Sequence, residues 1–119
     1  MKVLIQRVCK ACVRVDEKEV AAIGKGYLIL VGIEKGDTQK TAEYLAKKTA
    51  YLRIFGDASG KMNLSVMDIG GEILAVSQFT LAGDTSRGNR PGFETAARPE
   101  EAKPLYEYFV LCLKKYGLN

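Results

Sequence analysis

Residues 71–93 read GEILAVSQFTLAGDTSRGNRPGF. The apolar run at residues 73–76 has the length and composition of a buried strand. It ends in side chains that donate and accept hydrogen bonds, Ser77, Gln78 and Thr80, rather than in ordinary turn residues. The loop at residues 83–93 then contains three glycines, two arginines and a proline. A strand that delivers polar groups to a basic loop is a common way to build a site; the alternative is a core strand followed by an ordinary loop.

The composition favours one folded domain over residues 1–119. The chain is 47% hydrophobic and 27% charged, which is enough to bury a core. It has no run of 18 apolar residues, and Lys2 is followed by only three apolar residues before Gln6. We therefore expect a cytoplasmic protein without a signal peptide or membrane span. The net charge of +4 suits a polyanionic partner without requiring one.

The chain contains no histidine. Ser-His-Asp and Cys-His machinery is therefore excluded, as is the usual general base near neutral pH. Cys9 and Cys12 lie in a strand-like pattern, where residues three apart face opposite ways. Two thiols also cannot complete a four-ligand zinc site. We predict free thiols, no metal and no cofactor.

Hydrophobic periodicity predicts a mixed α/β domain with two amphipathic helices covering a sheet. Residues 3–15 are predicted as one long strand with a bulge near Cys9, and residues 20–23 as its hairpin partner. Residues 27–33 (YLILVGI) are predicted as a central strand buried on both faces, in which Gly32 indicates close approach of another backbone. One helix is predicted to begin at Asp37 or Thr38, and the other at Pro99.

Several motifs resemble the D-aminoacyl-tRNA deacylase family. The most specific is SQFTLAG at residues 77–83, followed nine residues after Thr80 by NRPGF at residues 89–93. The opening MKVLIQRV, LRIF at 52–55, DASGKMNLS at 57–65 and RPEEAKPLY at 98–106 match other parts of the family pattern. The resemblance thus extends along essentially the whole chain. It implies a mixed, mostly antiparallel, barrel-like sheet covered by the two helices, and a homodimer.

The end of the chain departs from this pattern. Members of the family continue past the last helix into strands that carry a Gly-Pro dipeptide with a cis peptide bond, which enters the partner subunit's site and screens substrate chirality. The three prolines here, Pro91, Pro99 and Pro104, are not preceded by glycine. We therefore expect a chain that is shortened at its C-terminus relative to the family.

The resemblance implies hydrolysis of the ester that joins a D-amino acid to the 3′-terminal adenosine of tRNA, with glycine mischarged on tRNA as an open second substrate. Such an ester is activated and needs positioned water and oxyanion donors. Two mechanisms remain open: Thr80 as nucleophile, or water activated with help from the ribose 2′-hydroxyl, with Thr80 orienting the ester. The resemblance implies catalytic roles for Ser77, Gln78, Phe79 and Thr80, and substrate binding by Arg7, Leu81, Ala82, Arg90, Pro91 and Phe93.

Each role competes with a plainer interpretation. Phe79 and Phe93 are placed to stack on the terminal adenine, but both could equally be core anchors. Arg87 and Arg90 could clamp phosphate or simply keep the loop soluble. In the family pattern Arg7 supports the partner's Gly-Pro segment. The alternative function is a shortened homologue that binds the tRNA 3′ end, or dimerises, without chiral selectivity or turnover.

Overall fold

The computed structural model describes residues 1–118. Within these residues, seven strands and two α-helices follow one another, with a 3₁₀ turn at Phe79–Ala82. In order, these elements are β1 (Lys2–Val8), β2 (Ala11–Val15), β3 (Lys18–Ile23), β4 (Gly26–Gly32), α1 (Gln39–Tyr51), β5 (Phe55–Gly56), β6 (Met62–Leu64), β7 (Glu72–Ser77) and α2 (Pro99–Lys114).

Strand β4 is the centre of the main sheet, whose order is β1-β4-β7. It pairs antiparallel with β1 and parallel with β7. Tyr27, Ile29 and Val31, on one face of β4, are fully buried, whereas Leu28 and Leu30 on the other face are partly exposed. The prediction of a central strand is therefore confirmed, but its full burial on both faces is not.

Two predictions about the sheet are corrected. The long strand expected over residues 3–15 is two strands, because the chain bends at Cys9 and β2 leaves the main sheet to pair with β3. The slip in the apolar alternation near Cys9 marks this change of direction rather than a bulge. The barrel is not confirmed: residues 1–118 form three separate sheets, β1-β4-β7, β2-β3 and β5-β6, and none is closed.

The two helices begin where local signals predict. The Thr38 side chain accepts a hydrogen bond from the Thr41 main chain at the N-terminus of α1, and Pro99 opens α2. The buried residues of α2 include Phe109, which is fully inaccessible. Across the helix pair, the Tyr108 hydroxyl donates to Glu43. The mixed α/β architecture with two covering helices is confirmed; in the described part of the chain neither helix has the length and hydropathy needed to cross a membrane.

The segment before α2 is fixed to the end of the central strand. The Ala97 main-chain N–H donates to the Ile33 carbonyl at 3.0 Å, and Lys35 N–H donates to the Thr95 carbonyl at 2.8 Å. An isolated antiparallel bridge joins Glu34 to Ala96. These bonds bring the start of α2 to the same edge of the sheet at which the parallel strands β4 and β7 end.

Candidate active site

The end of β7 turns sharply into the 3₁₀ turn. Gln78 is extended (φ −143°, ψ 95°), and its N–H donates to the Val31 carbonyl at 2.8 Å, which continues the pairing with β4 one residue beyond Ser77. The next residue, Phe79, already belongs to the turn. This abrupt change of direction exposes the polar residues at the sheet edge instead of carrying them into the core.

Gln78 and Thr80 are joined through their side chains. The Gln78 amide nitrogen donates to the Thr80 hydroxyl oxygen, and within residues 1–118 this is the only hydrogen bond that the Thr80 side chain makes. In the described part of the chain, the Thr80 hydroxyl has this donor beside it and no hydrogen-bonded base that could take its proton. Such a contact orients a hydroxyl, whereas a nucleophilic role would also require a base.

Two main-chain donors are free at the start of the 3₁₀ turn. Leu81 N–H donates to the Gln78 carbonyl at 3.3 Å, and Gly83 N–H donates to the Thr80 carbonyl at 3.0 Å. In the part of the chain that the structure describes, neither Phe79 N–H nor Thr80 N–H meets an acceptor. Free, fixed N–H groups at neighbouring positions are the kind of donor that stabilises a developing oxyanion.

A cavity of about 450 Å³ opens beside these donors, between the end of β7 and the first half of α2. Its wall is mostly apolar, with Lys103 contributing the only charged side chain among the lining residues. The Tyr106 hydroxyl donates to the Ala75 carbonyl at 3.0 Å, and burial raises the pKa of this phenol, which keeps it protonated. The residues that line the cavity are Ser77, Phe79, Ala97, Pro99, Ala102, Lys103 and Tyr106.

An aromatic pair flanks the cavity. Phe79 is 60% exposed and Phe93 is 40% exposed, so neither is a core anchor. Their ring centroids are 5.5 Å apart and the rings meet edge to face. Gly83 allows this contact, since a Cβ there would lie 3.1 Å from the Phe93 ring. The pair leaves a broad aromatic surface next to the polar residues.

The basic loop is closed at its base. Asp84 and Gly92 exchange two main-chain hydrogen bonds, each of 2.8 Å. The Asp84 carboxylate accepts from Ser86 N–H at 2.8 Å, and hydrogen bonds from Ser86 lower the pKa of that carboxyl. Arg87 and Arg90 are exposed in the outer part of the loop. The loop therefore carries two solvent-exposed guanidinium groups close in sequence to the 3₁₀ turn.

Most predicted site residues are thus brought to one edge of the sheet. Leu81 is half-buried beside Gly32, and Pro91 is exposed on the loop. The Ala82 side chain is only 2% exposed, so it packs in the interior, and the Ala82 carbonyl accepts from the Thr95 hydroxyl at 3.3 Å.

Arg7 lies elsewhere in the protomer. It pairs with Tyr27 across β1 and β4, and its guanidinium donates to the Ile54 carbonyl at 2.8 Å. Tyr27 is four residues from Val31, whose carbonyl holds Gln78. At about 3.3 Å per strand residue, Arg7 is roughly 13 Å along the sheet from the other candidates.

Sequence reasoning missed the α2 wall of the cavity. The chain predicts an amphipathic second helix, but no pattern in it indicates that the face carrying Ala102 and Tyr106 meets the end of β7. Lys103 was not selected at all. The one available signal was the match of residues 98–106 to the family pattern, which assigned no role to the individual positions.

No metal centre is found in residues 1–118, where no three His, Cys, Asp or Glu residues are grouped to hold an ion. Cys9 and Cys12 are exposed and Cys112 is buried, all three as free thiols.

Comparison with known proteins agrees with the motifs. A family model described as D-Tyr-tRNA(Tyr) deacylase matches residues 4–119. A D-aminoacyl-tRNA deacylase of Geotalea uraniireducens is 63% identical over 110 residues, which are 92% of this chain and 71% of that protein. The D-aminoacyl-tRNA deacylase of Geobacter sulfurreducens is 57% identical over 118 residues, covering 99% of this chain and 78% of its own length.

Solved structures give the same picture of the fold. The c-Myc DNA Unwinding Element Binding Protein superposes with a TM-score of 0.92 at 45% identity, over 97% of this chain and 77% of that one. A probable eukaryotic D-amino acid tRNA deacylase superposes with a TM-score of 0.76 at 18% identity, over 96% and 67% respectively, a likeness of fold alone. The family match and the closely similar relatives settle the assignment: this chain belongs to the D-Tyr-tRNA(Tyr) deacylase family.

Proposed function

We propose that this protein hydrolyses the ester bond of D-aminoacyl-tRNA and so clears mischarged tRNA in the cytoplasm. Family membership supports the reaction. The observation that carries the proposal is the grouping at the end of β7 of the Gln78 amide, the Thr80 hydroxyl and two free main-chain N–H groups beside an open cavity. These groups would position the ester and stabilise the developing oxyanion, and none of them needs to ionise.

The proposed mechanism uses the substrate's own hydroxyl. The ester carbonyl oxygen accepts from Phe79 N–H and Thr80 N–H, while Gln78 and Thr80 fix the orientation of the ester. The ribose 2′-hydroxyl assists a water molecule that adds to the carbonyl carbon. The bond between that carbon and the ribose 3′-oxygen then breaks, and the 3′-oxygen takes up a proton. The products are the free D-amino acid and the intact, uncharged tRNA. Ser77, at the cavity wall, contributes a further hydroxyl near the reacting atoms.

The remaining candidates are assigned to the tRNA end. Phe79 and Phe93 contact the terminal adenine, with Leu81 and Ala82 holding the 3₁₀ turn in place beneath them. Arg90 and the adjoining Pro91 border the path of the phosphate backbone, where the planar guanidinium suits a phosphate group.

A homodimer is part of the proposal. Arg7 lies away from its own protomer's site, so any role of Arg7 with substrate belongs at the site of a second protomer. Sedimentation equilibrium measures the mass directly. If the protein is a monomer at concentrations that support full activity, both the proposed homodimer and the proposed role of Arg7 are refuted.

One assay tests the reaction. The protein is incubated with D-tyrosyl-tRNA and L-tyrosyl-tRNA, and loss of the ester is followed for each. Loss of the D-ester alone is expected. Loss of both esters would indicate a working site without chiral selection. Loss of neither, with tRNA still bound, would replace the proposal with the alternative of a binding protein.

A further inference from the structure

We infer that a cavity on the β2–β3 hairpin is a modification site, at which Cys12 forms a mixed disulfide with a small thiol that carries two carboxylates, as glutathione does. The inference goes beyond the proposed function and does not depend on it, because it involves neither tRNA nor the residues at the end of β7. It gives a role to one of the two exposed free thiols, Cys9 and Cys12.

The cavity is large enough for a small peptide. Its volume is about 370 Å³, within the range of small-molecule pockets. The exposed thiol of Cys12 lies in its wall, and Ala11, Ala22 and Ile23 supply apolar surface. Ala22 is the cross-strand partner of Cys12. Because the alanine side chain is short, it leaves room for a ligand beside the sulfur.

The strands bring three charged side chains around this thiol. Lys10 and Arg14 lie two residues before and two residues after Cys12, and both line the cavity. Residues two apart in a strand share a face, which puts Arg14 on the same side of β2 as Cys12. A register shift within the hairpin then sets Glu19 of β3 opposite Arg14, and Glu19 also lines the cavity. The thiol therefore has two cations and one carboxylate beside it.

These charged groups are available to a ligand. Within residues 1–118 the only ion pairs with an N···O distance of 4.0 Å or less are those of the Met1 amino group. Arg14 and Glu19 are thus not paired with each other, although they are cross-strand partners. Two cations and one carboxylate match the charges of glutathione at neutral pH, which carries two carboxylates and one ammonium group.

The spacing of the charges also fits such a ligand. At about 3.3 Å per residue, the main chains of Lys10 and Arg14 are about 13 Å apart. An extended tripeptide spans about 10 Å, and both side chains are long enough to close the difference. Exposed ion pairs add little to affinity, but fixed charges of one sign raise the rate at which an oppositely charged reagent arrives, by about tenfold or more. The expected effect is therefore on the rate of modification.

The reaction is an exchange with a disulfide such as glutathione disulfide. The thiolate of Cys12 attacks one sulfur of the reagent, and a bond forms between the two sulfurs as the disulfide bond of the reagent breaks. The other glutathione leaves as a thiolate and takes up, through solvent, the proton that the Cys12 thiol lost. Cys12 is oxidised and one half of the reagent is reduced, so no further oxidant is required. An excess of reduced glutathione reverses the exchange.

The two exposed thiols provide an internal comparison. Cys9→Ser leaves Cys12 as the only exposed thiol, Cys12→Ser leaves Cys9, and Cys112 is buried in both variants. Mass spectrometry follows the formation of the mixed disulfide with glutathione disulfide and with the neutral bis(2-hydroxyethyl) disulfide. At low salt, the ratio of the two rates should be about tenfold higher for Cys12 than for Cys9. The difference should disappear near 1 M salt, where the Debye length is about 3 Å.

A second comparison tests the two cations directly. In the Cys9→Ser protein, Lys10→Met combined with Arg14→Met should abolish the preference of Cys12 for glutathione disulfide and leave its rate with the neutral disulfide unchanged. The matched control is Lys18→Met combined with Lys25→Met, which removes two exposed lysines that do not line the cavity. The control should keep the preference.

Four results would overturn the inference. The first is an equal preference for glutathione disulfide at Cys9 and Cys12, and the second is a preference that survives the loss of Lys10 and Arg14. The third is an equal loss in the control, which would mean that only net charge matters. The fourth is an equal slowing of the reaction with the neutral disulfide, which would mean that the cations act on the thiol and do not recognise the ligand.

Discussion

Substituting Gly32 by alanine is expected to damage the site through the backbone that positions it. A Cβ at Gly32 would lie 3.0 Å from the Leu81 Cβ and 3.1 Å from the Gln78 carbonyl oxygen. Carbon atoms in ordinary contact are about 3.5 Å or more apart, so the overlap is about 0.5 Å. Neither neighbour is the far end of a flexible side chain. The 3₁₀ turn, with Gln78 at its start, has to move away from β4.

The size of the effect follows from that displacement. A misplacement of 1 Å in a positioned catalytic group can cost about 100-fold in rate, so about 0.5 Å should cost about tenfold in kcat. Overpacking of this kind also destabilises a fold by about 1–3 kcal/mol. Gly32→Ala should therefore remain folded at room temperature while losing about nine-tenths of its turnover rate.

Turnover of D-tyrosyl-tRNA and urea unfolding measure the two effects on the same preparation. The matched control is Gly56→Ala, because a Cβ at Gly56 meets no atom within 4 Å. That variant should keep full activity and unfold at the wild-type urea concentration or slightly above it. A folded Gly32→Ala protein with wild-type kcat would refute the reasoning, since it would mean that the position of the turn does not limit the reaction.

Three further outcomes are expected. Thr80→Ala should lower kcat less than Gln78→Ala does, because a water molecule can take the place of the Thr80 hydroxyl but not of the Gln78 amide. A trappable acyl-enzyme that Thr80→Ala abolishes would contradict this expectation. Gly26→Ala should lower the free energy of unfolding, measured in urea, by about 3 kcal/mol or more, since the new Cβ would lie 1.8 Å from the Glu72 carbonyl oxygen. A urea midpoint equal to that of the wild type would show that β4 and β7 can separate there without cost. Burial raises the pKa of Tyr27 from 10.0 to about 12. The unfolding free energy should therefore be level below pH 10 and fall as the pH rises through 12. An unfolding free energy that is the same at pH 9 and at pH 12 would contradict the shift.

The parts of the fold that sequence predicted well are those that local chemistry determines. The run at 27–33 is almost wholly apolar, which predicts the central position of β4, although Leu28 and Leu30 on one face remain partly exposed. Thr38 and Pro99 are signals for helix starts that act within one turn of chain. Gly32 marked a close approach because a missing side chain inside an apolar strand needs a neighbour to fill the space.

The errors concern pairing across the molecule. The slip in alternation near Cys9 indicated an irregularity and the hairpin with residues 20–23 was predicted, but no local signal indicates that the chain leaves the main sheet at Cys9. For the same reason the α2 wall was not foreseen. Whether Lys103 faces a cavity or open solvent depends on where the helix meets β7, and that position is set by bonds such as the one from Tyr106 to Ala75.

A site without an ionising catalyst places unusual demands on its scaffold. When a histidine or a carboxylate performs proton transfer, much of the rate depends on one side chain and its pKa. Here the ester is already reactive, and the proposed contribution is the fixed position of main-chain N–H groups and one amide. The position of those groups depends on the bond from Gln78 N–H to Val31 and on the close packing of Leu81 against Gly32. Substitutions that shift this backbone should therefore reduce the rate as much as removal of Gln78 itself, because in such a site the central strand is part of the catalytic apparatus.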